Sequence, residues 1–236
     1  MNPNANFHSI REDFARGQGI DLKKVEVIHD TLYDWQTYVA AGQTQLSFFT
    51  EPRNSGTSIF DATQKKTLED TNLVAQGQMT RGEAFLAKYV ALRFVPGVDP
   101  VQETVAAAAA AVASSPAAND AAAFWENGYL DFRLANKPEV QLGPLAQFPP
   151  PQRFDLHVGG MVSVNQAAAA DAAYQLEGTY LVPVGRLFEL HPPGLTLEYG
   201  INFDFTLNWS KAVALPSGSA GRVQALLIGV RMRASQ

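Results

Sequence analysis

The sequence contains no cysteine. That excludes disulfide stapling, thiolate metal sites and cysteine nucleophiles, so the fold must rest on packing and hydrogen bonds. Charge is also scarce. Asp, Glu, Lys and Arg make up 17% of the 236 residues, against about a quarter in an ordinary soluble chain. A charge fraction this low points to surface hidden by partners, although Gln, Asn, Thr and Ser can solvate a surface too. The net charge is −5, so no overall basic field advertises nucleic-acid binding. No apolar stretch of about 18 residues could span a membrane; the alanine run at 101–113 comes nearest. The opening M-N-P-N-A-N-F-H-S-I lacks the apolar core of a signal peptide.

Motifs that carry chemistry are missing as well. Neither G-x-x-x-x-G-K-[ST] nor G-x-G-x-x-G is present to cradle a phosphate, and there is no G-x-S-x-G nucleophile elbow. The four histidines, His8, His29, His157 and His191, are far apart in sequence. Strands could bring two of them together with Asp155 or Glu189 into a cupin-like metal centre; the plainer reading is four surface or hydrogen-bonded histidines. The adjacent pairs Glu12-Asp13 and Glu69-Asp70 would point to opposite faces of a strand. A glycosidase couple assembled from distant strands would draw on Asp131, Glu177, Glu189, Glu198 and Asp204, and nothing in the sequence selects among them. The expectation is therefore no enzyme: no catalytic residue, no cofactor and no metal.

What is present reads as a mainly β domain. Residues 1–24 form a polar N-terminal arm with a short helix around 10–15, ended by Gly17 and Gly19. Residues 25–236 form one domain. Strand patterns run over 24–29, 32–39, 44–50 and 85–95, and more weakly over 67–75. The alanine-rich segment 101–113 and a shorter one at 119–125 are helix candidates, together a helical insertion over about 100–127 lying outside the β structure. Strand patterns return at 129–134, 140–145, 156–164, 174–181 and 186–190. The clearest is 202–209, where Phe203, Phe205, Leu207 and Trp209 alternate with polar residues and predict a core strand. A long strand over 222–233 closes the chain. About nine or ten strands with no βαβ alternation predict a single jelly-roll β-sandwich, two facing sheets of about four strands each.

Two residue clusters allow sharper readings. Tyr33, Trp35, Tyr38, Phe48 and Phe49 could form a flat platform for sugars, though ordinary sandwich core is the favoured expectation. Beyond Asp204 every charged side chain is basic: Lys211, Arg222, Arg231 and Arg233. Arg222, Arg231 and Arg233 are candidates to face a polyanion or anionic lipid headgroups; the plainer reading is solvated strand ends.

The run L-H-P-P-G-L-T-L-E-Y-G-I-N-F-D-F-T-L-N-W, followed by a Leu-Pro-Ser-Gly loop and R-V-Q-A-L-L-I-G-V-R-M-R, resembles the coat proteins of tailless icosahedral bacteriophages with jelly-roll capsids. The resemblance covers about the last fifth of the chain. It implies a structural protein of the virion, assembled in the host cytoplasm, that joins identical copies into trimers or larger capsomers and a shell. Other capsid proteins, packaged nucleic acid or an internal membrane are the further partners it implies. The N-terminal arm departs from many shell proteins in not being basic. The rival reading is a lectin-like or phage receptor-binding sandwich that recognises carbohydrate; a glycoside hydrolase or cupin enzyme comes third.

Overall fold

The computed structural model describes residues 3–19, 21–98, 116–135, 140–148, 187–190 and 194–234. The described chain is mainly β, in two antiparallel sheets with two α-helices. The strands are β1 (Val25–Tyr38), β2 (Gln45–Phe48), β3 (Glu83–Val95), β4 (Tyr129–Leu134), β5 (Val140–Pro144), β6 (Phe188–Glu189), β7 (Leu195–Glu198), β8 (Phe203–Asn208) and β9 (Gly221–Ala234). The helices are α1 (Pro3–Gln18) and α2 (Pro116–Trp125).

The larger sheet runs β1-β9-β3-β6, with β7 also paired to β3; the smaller runs β2-β8-β4-β5. The pairings nest. β4 pairs with β5, β3 with β6 and β7, β2 with β8, and β1 with β9. The first half of the chain and the second therefore form one antiparallel ribbon folded over on itself.

Alternation in the sequence fills the space between the sheets. Phe203, Phe205, Leu207 and Trp209 are all buried. Phe205 lies opposite Phe48 on one side and Phe132 on the other, each edge-to-face at 5.9 Å between ring centroids. Leu207 sits likewise between Leu46 and Leu130. The larger sheet answers with Leu32, Leu227 and Val90 on one rung and Leu92 and Phe94 beyond them. Burying one such side chain contributes about 1.5–3 kcal/mol.

Several elements differ from the sequence expectation. β1 is one 14-residue strand rather than two pieces, because Thr31 and Leu32 continue the ladder opposite Ile228 and Leu227. β2 stops at Phe48, since Phe49 takes a φ of 61°. Residues 67–75 form no strand. Asp70 accepts bonds from Ser58 Oγ, Ile59 N and Thr67 N, which curls the segment. It then lies along β1, with Trp35 N bonded to Asp70 O and Asn72 N to Tyr33 O. That contact covers part of a sheet edge that would otherwise be open. β7 was not anticipated; Leu195 and Leu197 of L-T-L-E are its only signal.

The helices are more integrated than expected. α1 spans 16 residues rather than six. It lies on the outer face of the larger sheet, where Phe14 and Ala15 are buried with Val25, Ala84, Leu86 and Met232. Arg11 Nη2 ties it down through Leu22 O and Val25 O, both at 3.0 Å. α2 does not lie outside the sandwich. Ala117, Ala121 and Phe124, spaced i, i+4 and i+7, make one apolar face; Ala117 is buried, and Phe124 with Ala121 packed beside it joins the main core. Pro116 opens this helix, a position where its missing N–H costs nothing. The expected helix at 101–113 and the strands at 156–164 and 174–181 lie outside the described residues.

Candidate functional site

Residues facing each other across a ladder share a face of the sheet. That rule divides the three arginines singled out in the sequence. Arg231 is opposite Phe85, on the inner face of the larger sheet, beyond the end of the apolar core. Its Nε lies 2.6 Å from Asp30 Oδ2 and its Nη1 3.2 Å from Glu83 Oε2. Arg233 Nε is 2.7 Å from Glu26 Oε2. Two guanidiniums thus meet three carboxylates, and this end of the sandwich offers a polyanion no excess of positive charge.

Arg222 has a different setting. It lies on the outer face, opposite Thr37 and Val95, two rungs beyond the Trp35–Gln224–Arg93 row. Its guanidinium carbon is 5.3 Å from the centroid of the Phe60 ring, and that of Arg93 is 5.7 Å from the Trp35 ring. Both distances are in the range of a cation–π contact. Phe60 and Trp35 meet edge-to-face at 5.9 Å, so rings and cations form one cluster. Among the described residues neither guanidinium makes an ion pair or a hydrogen bond, and Arg93 Nε is buried without a partner. Phe60 is 42% exposed. The neighbouring carboxylate of Asp61 is taken by Thr63 N, Thr63 Oγ1 and Gln64 Nε2 at 2.9, 2.6 and 2.7 Å. Those bonds hold its pKa below the usual carboxylate value. Arg93 escaped sequence reading because it interrupts an apolar run. Its one signal was parity with Tyr89 and Ala91 on the outer face.

Under this cluster lies a buried polar knot. Asp34 and Lys66 are both buried and pair at 3.1 Å. The Asp34 carboxylate also accepts Phe49 N at 2.8 Å and Gln36 Nε2 at 3.0 Å. Burial pushes its pKa up, and Lys66 and the Phe49 N–H draw it partly back. The knot pins the turn after β2 and the 49–82 connection to β1. That is a positioning role for the loop that carries Phe60.

Other sequence candidates are scattered. Of the early aromatics, Tyr38, Phe48 and Phe49 are completely buried and belong to the core; Trp35 is nearly buried, but on the outer face beneath Arg93. His8 meets Glu12 at 3.0 Å on the exposed side of α1, and His29 is exposed on β1. His157, His191, Asp155 and Glu177 lie outside the described residues. Among the described residues no three His, Asp or Glu side chains converge as metal ligands. Asp131 and Asp204 fall two rungs apart on the same face of β4 and β8. Asp131 is buried, with one oxygen 3.2 Å from Arg133 Nε, and Asp204 accepts from Thr206 Oγ1 at 3.0 Å. Glu189 and Glu198 lie on the other sheet, exposed on β6 and β7. No protein-family model, no curated protein and no solved structure matches this chain.

Proposed function

We propose that this chain is a single jelly roll and a structural coat protein, assembling with copies of itself into capsomers and an icosahedral shell. The nested strand pairing carries the fold half of the reading. Orders of 1-9-3-6/7 and 2-8-4-5 support it, since an eight-position jelly roll with β6 and β7 sharing one position would have them. Jelly rolls serve viral capsids, lectins and cupins alike, so the fold alone does not choose a function.

Three observations favour assembly. The chain is poor in charge for a soluble protein. Large apolar side chains are exposed at separated points, among them Val27, Phe60, Leu68, Tyr129 and Tyr199. Two ring-stacked arginines stand on an outer sheet face without an acidic partner among the described residues. The carbohydrate reading is weakened where it was sharpest, because most of the aromatics offered as a sugar platform are spent inside the core. Negative-stain microscopy of the purified native chain tests the proposal. Rings, capsomers or closed particles support it; dispersed single domains refute it.

A further inference from the structure

The outer face of the larger sheet carries charges of both signs that do not meet among the described residues. Arg93 and Arg222 sit two rungs apart at one end, held by Trp35 and Phe60. Glu189 faces the same side from the edge strand β6, opposite Tyr89. It is exposed, and its carboxylate has no bonding partner among the described residues. Arg93 and Tyr89 are four residues apart on β3, roughly 13 Å, and no bond joins Arg93 to Glu189 among the described residues.

We propose that Arg93 and Arg222 of one copy receive the carboxylate of Glu189 from a neighbouring copy, in a head-to-tail contact. This rests on the reading of the chain as self-assembling. The chemistry is specific. A guanidinium presents donors in a planar fork that matches a carboxylate, and two of them two rungs apart can clasp both oxygens of one group. The rings already fix the two forks, so little order remains to be imposed on binding. Among the described residues the Arg93 guanidinium has no carboxylate partner and its Nε no hydrogen-bond partner, so its outward donors are not already committed to an acid. A contact between two different patches closes into a ring when the rotation allows it, as a capsomer requires. The net charge of −5 favours this occupant over a nucleic acid, whose whole length would be repelled, whereas one carboxylate of a second copy meets a local +2. Glu198, paired with Ala84 five residues further along β3, is the carboxylate that serves as a control.

Sedimentation velocity over a concentration series, on the full chain, is the test. R93Q/R222Q and E189Q should each weaken self-association about tenfold or more. The triple variant should be no worse than either, because the groups act as one unit. E198Q should assemble like the parent. A mixture of R93E/R222E with E189R should recover association that neither shows alone. If R93Q/R222Q proves misfolded by circular dichroism, E189Q decides alone, since that side chain makes no bond within the described chain. Unaltered assembly of E189Q overturns the proposal. So does loss of binding to a single-stranded DNA oligonucleotide by R93Q/R222Q with assembly intact, which would make the cluster a polyanion site. A parent chain that never associates refutes the shell reading itself; a parent that assembles alongside variants that also do refutes this contact alone.

Discussion

The rings of Phe94 on β3 and Phe124 on α2 stack with 4.4 Å between centroids and 6° between planes. Through this stack the helix plugs one end of the sandwich, since Phe124 also meets Tyr38 edge-to-face at 5.5 Å. A second tie joins α2 to the β8–β9 turn, where Asp120 accepts Ser217 N and Ser217 Oγ at 2.9 and 2.6 Å. Phe124→Ala should therefore destabilise the whole domain by about 3–5 kcal/mol. Urea denaturation measures it. A loss below about 1 kcal/mol, as expected of a surface position, would show that α2 is an appendage and not part of the core.

Phe205 tests the register of the smaller sheet. It is completely buried and contacts Phe48, Phe49 and Phe132. Phe205→Ala is expected to cost about 3–5 kcal/mol. A neutral result would mean that the strand presents its other face to the core.

The Lys66–Asp34 pair gives a pH-dependent expectation. Lys66→Met leaves a carboxyl buried without its cation, and breaking such a pair costs about 3–5 kcal/mol. Losing Lys66 raises the Asp34 pKa further, above a value that burial already lifts. A raised folded-state pKa means that the group's stabilising contribution is fully present below the unfolded value, about 3.9, and is lost as pH rises through the folded value. The deficit of Lys66→Met relative to the parent should thus be small near pH 4 and full at pH 7 to 8. Denaturation midpoints of both proteins across that range check this. A deficit independent of pH would show that the pair matters for packing and not for charge.

The core of this fold was legible because period-two alternation needs no context. Phe203, Phe205, Leu207 and Trp209 announce a buried face from sequence alone. β7 and the coil at 67–75 were misjudged for a common reason. A short strand depends on finding an open ladder, here on β3, and a coil with strand-like residues can be curled by one buried carboxylate, here Asp70. Neither partner is visible in the local pattern. The same holds for the arginines. Basic residues near the chain end read as one group, yet β9 sends Arg231 and Arg233 to the inner face and Arg222 to the outer one. Which of them finds carboxylates is decided by Glu26 and Asp30 on β1 and by Glu83 at the start of β3. Arg93 belongs with Arg222 through cross-strand register, a relation that no linear spacing reveals.

The proposed self-assembly can be read out on the unmodified protein. The most direct measurement is the molar mass of the purified chain by light scattering as concentration rises at physiological salt. A self-assembling coat protein should show a mass well above the 25.6 kDa of one chain, in discrete trimers, larger capsomers or particles. Added salt should lower that mass, because ion pairs at exposed contacts are screened over about 8 Å. A mass that stays at one chain throughout the series would contradict the account.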